Sequence, residues 1–298
     1  MQKFEEMPQT DMEQLYKMYW PLLFSIAYRL LGTRSEAEDI VQDVFVSLQA
    51  VDRGQVDNMK AFLSRAVTNR CLNLLKSAKK QRELYVGPWL PEPLYALEGN
   101  EPLQRLEQQE DISYAYLVML DQLSPIERVS FVLREAFGYE YEEIAEIVAK
   151  SAENCRKICS RARQKMKRGQ AQNARHPQQE DIVQRFGDLL QTGQIAEVVA
   201  LLSDQVAFIS DGGGKVKAAL RPLIGIERVS AFLAGINAKG SFSKGIRPVQ
   251  VNGQPGLIVQ RDGSPAAVWS FGFDEATGQV TRIYAVFNPD KLQDGATL

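Results

Sequence analysis

Apolar residues recur at intervals of three and four between residues 10 and 80, the spacing that places them on one face of an α-helix. The clearest stripe follows Ser35, and acidic and amide side chains occupy the positions between its members. The stripe consists of Ala37, Ile40, Val41, Val44, Phe45 and Leu48. Because Ser35 and Glu38 have the spacing of a capping box, we expect the helix to begin at Ser35. The pattern predicts a helix with one buried face and one acidic face.

Helical periodicity stops between residues 87 and 102, where the sequence is rich in proline and glycine. Prolines at this density are incompatible with a helix, because each one removes a backbone donor and clashes with the preceding turn. The segment nevertheless contains large apolar residues, namely Trp89, Leu90, Leu94, Tyr95 and Leu97. A solvated tether does not need such residues, so we predict a linker that docks on another part of the protein.

Helical periodicity resumes near Ile112 and continues to about Arg168. It is interrupted at Ser124-Pro125 and again at Gly138. Ser124 suits the position immediately before a helix, and Pro125 suits the first turn, where its missing N–H is not needed. We therefore predict that a new helix begins at the first interruption.

The last two helices of this region are predicted to form a pair with a short turn between them. The first covers residues 141–148, and the second begins at Ser151, which suits a helix start. The inward face of the second helix carries Cys155, Ile158, Cys159, Ala162 and Met166. Its outward face carries Glu153, Asn154, Arg156, Lys157, Ser160 and Arg161. This arrangement is typical of a helix-turn-helix reader, which places the second helix in the major groove of DNA.

After a polar hinge over residues 169–179, the pattern changes to a mixture of helices and alternating strands. The predicted helices cover residues 181–190, 195–202 and 226–236. The predicted strands cover residues 206–210, 256–260, 266–273 and 280–287. Glycine turns separate the last strands. We therefore predict a separate C-terminal α+β domain.

The composition is that of a globular protein with more than one domain, since the chain has 298 residues, of which 45% are hydrophobic. No apolar run is close to the length of about 20 residues that is needed to cross a bilayer. The N-terminal residues also lack the features of a signal peptide. We expect a cytoplasmic protein without membrane contact. Three cysteines do not form a disulfide framework, and His176 alone does not complete a zinc site, so we expect the cysteines to pack in cores.

Positive charge is concentrated in two stretches, although the net charge of the chain is −2. Residues 60–82 contain seven basic residues and no acid, and residues 150–168 contain eight basic residues and one acid. A basic helix face is often only solvated, but two such faces in these positions favour binding to nucleic acid. Arg156 and Arg161 have the chemistry to bond guanine edges, and Asn154 has the chemistry to bond adenine.

Three short stretches occur in a specific order: SEAEDIVQDVF at residues 35–45, YEEIA at residues 141–145 and SRAR at residues 160–163. The first resembles the signature of region two in the sigma-70 family of bacterial transcription initiation factors, and the other two resemble region four. The combination is similar to the extracytoplasmic-function class, which has only these two conserved regions. The resemblance covers about half of the chain.

This resemblance implies that the chain binds core RNA polymerase and promoter DNA. Asp39, Gln42 and Asp43 would dock on the clamp helices of the β′ subunit, and region four would contact the β flap. The residues that would open and read the −10 element, where a base is extruded, are Asn69, Arg70, Asn73 and Lys76. The residues that would face the −35 element are Asn154, Arg156, Lys157, Ser160 and Arg161.

The C-terminal domain resembles the SnoaL-like fold, a curved sheet backed by helices that forms a cone. DGGGK at residues 211–215, NPDKL at residues 288–292 and WLPEPL at residues 89–94 are similar to motifs of a sigma subgroup with this fusion. In that subgroup the added domain is a built-in regulator. The resemblance implies an intramolecular contact with the linker or with region two. Its expected residues are Trp89, Leu90, Pro91, Asp211, Gly213, Lys215, Asn288, Asp290 and Lys291.

The glycine run at residues 212–214 is open to three interpretations: a turn between strands, a docking surface and a phosphate cradle. Its sequence lacks the spacing and the following Ser or Thr of a nucleotide-binding loop. A turn or a docking surface is therefore favoured, and we expect no cofactor.

Together these patterns predict a multidomain protein with two all-α modules and a C-terminal α+β domain. Region two covers residues 1–82, the linker residues 83–111, region four residues 112–170 and the regulatory domain residues 180–298. The expected function is promoter-specific initiation of transcription without enzymatic activity.

Two other functions remain open from the sequence. One is a helix-turn-helix regulator with a C-terminal sensor domain, which would bind duplex DNA without polymerase. The other is an enzyme that uses a carboxylate of the C-terminal domain as acid or base, with no histidine after residue 176 to assist it. The available carboxylates include Asp204, Asp211, Asp262 and Asp274.

Overall fold

The computed structural model describes residues 9–52, 56–82, 84–95, 112–170, 176–242 and 245–292. Part of the predicted linker, including Leu97, and most of the polar hinge lie outside these residues. The side chains of Lys79, Lys80, Arg82 and Arg168, which belong to the two basic stretches, also lie outside the described part.

Apart from the linker residues 84–95 and short turns, the described part of the chain before the hinge is helical. Its helices are α1 (Gln9–Leu31), α2 (Arg34–Leu48), α3 (Met59–Arg82), α4 (Tyr114–Asp121), α5 (Pro125–Phe137), α6 (Tyr141–Val148) and α7 (Ala152–Gln170). The predicted apolar stripe of α2 is buried at every position, which confirms its inward face. No described helix has the length and hydropathy that crossing a membrane requires.

The two predicted helix starts have different outcomes. Ser124 caps α5, and Glu127 completes the capping box, with Pro125 in the first turn as predicted. The capping box predicted at Ser35 is wrong, because α2 begins one residue earlier and Ser35 lies inside its first turn. The carboxylate of Glu38 instead accepts a hydrogen bond of 2.8 Å from the side chain of Arg34.

The chain divides into two compact units. Unit 1 contains Met1–Ala78 and Ser124–Ala162, and unit 2 contains Lys79–Leu123 and Arg163–Leu298. The described linker residues and α4 therefore pack with the C-terminal part of the chain. This division follows spatial contacts, whereas the domain boundaries given above follow sequence patterns and stay a prediction.

Unit 1 is held together by helix packing that joins its two sequence segments. Helix α1 packs along α2 and also contacts α5. The side chain of Arg128 on α5 is buried and donates a hydrogen bond of 2.8 Å to the carbonyl of Leu30. Arg65 on α3 forms an ion pair of 2.9 Å with Glu146 on α6. Helix α6 and the part of α7 up to Ala162 thus belong to the same unit as α1, α2 and the part of α3 up to Ala78.

Unit 2 is built on a six-stranded sheet, which confirms the predicted α+β class. After the hinge its described elements are α8 (Gln179–Gln191), α9 (Ile195–Ala200), β1 (Leu202–Asp211), β2 (Leu223–Ile224), α10 (Ile226–Ala238), β3 (Ile246–Val251), β4 (Gln254–Arg261), β5 (Ser264–Phe273), β6 (Val280–Val286) and a 3-10 turn (Pro289–Lys291). The helix predicted over 195–202 ends at Ala200, because Leu202 already belongs to β1.

The strand order is β2-β1-β6-β5-β4-β3, and all neighbouring pairs are antiparallel except β1 and β6. One face of the sheet packs against the helices around Phe208, Phe242 and Trp269, which are fully or almost fully buried. A second cluster joins linker residues Leu90 and Tyr95 to strands of the sheet. Because β1 and β6 are parallel neighbours, their C-terminal ends, Asp211 and Val286, lie side by side.

Candidate nucleic-acid interface and linker site

Helices α6 and α7 form the predicted helix pair. Ala149 has a left-handed backbone and ends α6, and the hydroxyl of Ser151 accepts a hydrogen bond of 3.2 Å from the backbone of Asn154 at the start of α7. The predicted inward stripe of α7 is buried throughout. Cys155 and Cys159 are buried in this stripe as thiols outside any disulfide, and burial raises the pKa of Cys155. The described residues contain no cluster of metal-ligating side chains.

The outward face of α7 presents the predicted DNA-contacting side chains to solvent. Arg156, Lys157, Ser160 and Arg161 are exposed, and Asn154 is half-buried. Lys157 pairs with Glu153 of its own helix at 2.7 Å. Within the described residues, Arg161 has no ion-pair partner. The helix therefore combines a fixed apolar face with an accessible basic one, as a major-groove reader requires.

Arg156 is held by the preceding helix. Its guanidinium pairs with Glu142 at 2.9 Å and lies 5.2 Å from the ring centre of Tyr141. The guanidinium of Arg134 lies 4.7 Å from the centre of the same ring and pairs with Glu140 at 3.0 Å. Sequence reasoning identified Arg156 but missed its contacts with Glu142 and Tyr141, because these residues lie 14 and 15 positions away and only the turn between α6 and α7 brings them together.

Helix α3 carries the residues assigned to the −10 element. Asn69, Asn73 and Lys76 follow one another at helical spacing, so they share one face. Asn73 and Lys76 are exposed, and Asn69 is half-buried. The fourth residue, Arg70, is half-buried and donates a hydrogen bond of 3.1 Å to the hydroxyl of Ser47 on α2. Arg70 is therefore engaged with α2, apart from the other three.

A cleft of about 390 Å³ lies where the chain passes from α2 to α3. Sequence reasoning missed it, because its lining combines loop residues with one side chain of α3. The described residues that line it are Val51, Asp52, Val56, Asp57, Asn58 and Phe62. Both apolar and hydrogen-bonding groups are thus available in the cleft.

The acidic face of α2 is accessible as predicted. Asp39, Gln42 and Asp43 are all exposed, while the opposite face packs in unit 1. Val46 lies one turn beyond Gln42 and is also exposed, at 59%. An apolar side chain on an otherwise acidic face increases the area that a protein partner can bury.

In unit 2, Asp211 is the centre of a buried network, the linker clamp, which consists of Tyr85, Leu90, Asp211 and Lys291. One carboxylate oxygen of Asp211 accepts hydrogen bonds from the backbone N–H of Leu90 at 2.9 Å and from the ammonium of Lys291 at 2.8 Å. The other accepts one from the hydroxyl of Tyr85 at 2.6 Å. Lys291 also donates to the carbonyl of Leu90 at 2.6 Å. Both backbone groups of Leu90 are thus bound to the C-terminal domain.

Aromatic and polar side chains surround the Asp211–Lys291 pair. The ammonium of Lys291 lies 4.3 Å from the ring centre of Trp89 and 5.1 Å from that of Tyr85. The side chain of Asn288 donates a hydrogen bond of 3.0 Å to the Tyr85 hydroxyl. Burial, followed by the hydrogen bond to Asp211, raises the pKa of Tyr85 far above its ordinary value. Tyr85 lies outside the family motifs, so sequence reasoning did not select it.

The other residues assigned to the linker contact lie around the clamp. The carbonyl of Pro91 accepts a hydrogen bond of 2.6 Å from the hydroxyl of Tyr114 on α4. Lys215 and Asp290 form an exposed ion pair of 2.6 Å at the edge of the clamp. The motif residues therefore meet at the linker. Leu90 and Pro91 are buried there.

The glycine run makes a turn that passes close to its neighbours. Gly213 has a positive φ of 61°, and its N–H donates a hydrogen bond of 2.9 Å to Asp211. A Cβ at Gly213 would lie 2.4 Å from the side-chain nitrogen of Asn288, and one at Gly214 would lie 3.2 Å from Val86. The turn and docking interpretations are compatible, because the same turn brings the backbone against linker and C-terminal residues.

The carboxylates considered for acid–base chemistry do not lie in one pocket of the described structure. Asp211 is paired in the linker clamp, and Asp204 is exposed on β1. Asp274 caps a turn, where hydrogen bonds from Thr277 lower its pKa. Asp262 lies in the tight turn between β4 and β5 with a positive φ of 53°.

Comparison with known proteins identifies the family. The model for Sigma-70 region 2 matches residues 15–81, and the model for Sigma-70, region 4 matches residues 113–166. Over 284 residues the chain is 32% identical to the ECF RNA polymerase sigma factor SigJ of Mycobacterium tuberculosis, which covers 91% of this chain and 89% of that protein. It is also 28% identical over 273 residues to the probable ECF RNA polymerase sigma factor SigI of the same species, which covers 91% of each.

The whole-chain architecture is similar to a solved structure. The crystal structure of the M. tuberculosis extracytoplasmic function sigma factor SigJ matches with a TM-score of 0.76 at 30% identity. The match covers 94% of this chain and 97% of that one, so it includes the C-terminal domain as well as the helical modules. The chain therefore belongs to the extracytoplasmic-function sigma factors, which act with RNA polymerase at promoters.

Proposed function

We propose that this sigma factor reads the −35 element with the outward face of α7 and the −10 element with α3, while the acidic face of α2 binds the β′ clamp helices. Region four would contact the β flap. The observation that carries the proposal is the polarity of α7, whose apolar stripe is buried while four of its five assigned DNA-contacting side chains are exposed. The factor makes no covalent bonds itself and acts in the cytoplasm, where polymerase and promoter meet.

At the −35 element, Arg156 and Arg161 would supply sequence readout. A guanidinium can donate two parallel hydrogen bonds to the O6 and N7 atoms of guanine, which is worth about 1 to 3 kcal/mol of discrimination. Asn154 would bond adenine, whereas Lys157 and Ser160 would contact phosphates and fix the register of α7 in the groove. The exposure of Arg156, Lys157, Ser160 and Arg161 leaves these four side chains accessible to DNA, and Asn154 beside them is half-buried.

At the −10 element, the shared face of Asn69, Asn73 and Lys76 supports a contact with separated strands. Extruding a base costs a few kcal/mol, so a favourable pocket is required to hold it. The cleft of about 390 Å³ between α2 and α3 lies within the size range of small-molecule sites and has polar and apolar lining residues. We assign it to the extruded base, with Arg70 bracing α3 against α2.

The acidic face of α2 would capture the polymerase. Asp43→Ala should weaken binding to core polymerase several-fold, because it removes an exposed charge from the proposed interface. Its position on the opposite side of α2 from the buried stripe leaves the packing of unit 1 intact. Binding of labelled core polymerase to immobilised factor measures this effect. A change in promoter preference, with core binding unaltered, would contradict the assignment.

The C-terminal domain would regulate the factor through the linker clamp. It binds both backbone groups of Leu90, so the course of the linker depends on the Asp211–Lys291 pair. The linker joins the two sequence segments of unit 1, the parts that would carry the −10 and −35 readers. Changing the clamp would therefore change the path available between these segments.

A binding experiment separates this function from that of an autonomous DNA-binding regulator. Immobilised full-length factor is incubated with sheared genomic DNA at several salt concentrations, with and without core polymerase. We expect specific fragments to be retained only when core polymerase is present. Specific retention by the factor alone at physiological salt would instead support a regulator that binds operators directly.

A further inference from the structure

Two residues of α6 hold the side chain of Arg156, although neither belongs to the outward face of α7. Glu142 accepts a hydrogen bond of 2.9 Å from one terminal nitrogen of the guanidinium. The ring of Tyr141 lies against the same group, with 5.2 Å between the guanidinium carbon and the ring centre. One long side chain is therefore fixed by a charge and by an aromatic face.

These contacts contribute little to the folded state by themselves. The side chains of Arg156 and Glu142 are 53% and 64% exposed, and an ion pair this accessible is screened by water and salt. The consequence for binding is larger, because an unrestrained arginine loses rotamer freedom when it contacts a base. An arginine that is already fixed avoids part of that loss.

The guanidinium of Arg156 can bond Glu142 and a base at the same time. Arginine has five N–H donors, and the pair with Glu142 is recorded through one terminal nitrogen. Donors therefore remain for the O6 and N7 atoms of a guanine. The carboxylate also neutralises the charge of Arg156, which reduces its attraction to phosphates at unrelated sequences.

We propose that Glu142 and Tyr141 are positioning residues that orient Arg156 toward one base pair of the −35 element and so determine specificity there. This inference rests on the proposed role of Arg156 at that element. Arg161 provides the internal comparison, because it lies on the same exposed face but has no ion-pair partner in the described part of the chain. Specificity at its base pair should be independent of Glu142.

The test uses full-length factor assembled with core polymerase and a promoter that this holoenzyme transcribes. Each base pair of the −35 element is replaced in turn, and discrimination is the transcription rate on the intact template divided by that on the substituted one. Arg156→Ala should abolish discrimination at one position. Glu142→Ala should lower discrimination at that same position about 3- to 10-fold, the range expected when one side chain loses its preorganisation. Glu142→Gln, which keeps an acceptor, should lower it less.

A double-mutant cycle shows whether Glu142 acts through Arg156. In the Arg156→Ala background, Glu142→Ala should change discrimination less than twofold, and in the Arg161→Ala background it should keep its full effect. An equal loss in both backgrounds, or no loss in the wild-type background, would overturn the inference. If Arg156→Ala itself alters no position, the proposed −35 role is wrong. If it does alter one and Glu142→Ala does not, only the positioning role is wrong.

Discussion

Two ion pairs of nearly the same length have opposite surroundings in this protein. Arg156 and Glu142 lie 2.9 Å apart with both side chains more than half exposed. Lys291 and Asp211 lie 2.8 Å apart with side chains that are 9% and 0% exposed. Distance alone therefore does not describe what a charged pair can do. Water can replace either partner of the first pair, but it reaches the second pair poorly.

Because of this difference, the exposed pair is suited to orient a DNA-contacting side chain, whereas the buried pair is suited to stabilise the fold. An exposed pair leaves the remaining donors of its arginine accessible to a base, at little cost to the fold. A buried pair cannot release one partner without leaving an unpaired charge in a poorly solvated site. The linker clamp is therefore suited to fix a chain path, and the outward face of α7 is suited to add contacts with DNA while Glu142 keeps Arg156 oriented.

The largest effect should come from breaking the buried pair. Lys291→Met leaves Asp211 buried and without its ammonium partner, so we expect the free energy of unfolding of unit 2 to fall by about 3 to 5 kcal/mol. Hydrogen exchange of amides in β1 and β6 measures unit 2 without unit 1. The double variant Asp211→Asn/Lys291→Met should be less destabilised than Lys291→Met, and the opposite order would contradict the account.

A glycine substitution should give the next largest effect. Gly213→Ala places a Cβ 2.4 Å from the side chain of Asn288 and also strains a positive φ, so we expect a loss of about 2 to 3 kcal/mol in unit 2. Gly263→Ala is the matched control, because that glycine also has a positive φ but open space around it. Its loss should be about 1 kcal/mol. Equal losses in the two variants would show that the contact with Asn288 is unimportant.

Breaking the exposed pair should have little effect on stability and a larger effect on promoter binding. Arg156→Ala should change the free energy of unfolding of unit 1 by less than about 0.5 kcal/mol, since it removes an accessible side chain. It should nevertheless cost about 1 to 3 kcal/mol in binding of the holoenzyme to the −35 element. Urea denaturation and promoter binding measure the two quantities. Loss of core binding would contradict this assignment.

The smallest effect concerns alkaline pH. The pKa of Tyr85 is raised in the folded protein, so the contribution of this phenol to stability is complete below about pH 10 and declines as pH rises toward the folded-state pKa. The free energy of unfolding of unit 2 should therefore fall as pH rises above about 10. Tyr85→Phe should reduce the slope of this fall with pH. Amide protection at a series of pH values, corrected for intrinsic exchange, measures the slope. An unchanged slope in the variant would show that ionisation of Tyr85 does not cause the loss of stability at high pH.

Periodicity predicted the helices, four of the six described strands and the buried faces, because burial of one face repeats at a fixed spacing. The stripe of α2 and the apolar face of α7 are examples. The two edge strands, β2 and β3, were not predicted. The start of α2 was less predictable, since Ser35 and Arg34 are both compatible with a first turn. The sequence shows only that two residues have the spacing of a capping box. Whether the box forms depends on where the preceding backbone starts the helix.

The composition of the clamp could be predicted only in part. The motifs indicated Asp211, Lys291 and the linker, but Tyr85 and the link between Tyr114 and Pro91 depend on tertiary contacts. The same is true of Glu142, whose charge on α6 looks like an ordinary solvated acid until the turn brings it to Arg156. Contacts between distant positions leave no periodic signal in a single sequence.

Run-off transcription tests the central claim most directly. Purified core polymerase is supplied with a genomic fragment library and with either full-length factor, the Lys291→Met variant or no factor. We expect discrete start sites that require the factor, and we expect the clamp variant to alter their yield. No factor-dependent start sites would contradict the promoter-reading function, and identical yields from a folded clamp variant would contradict the regulatory role of the linker contact.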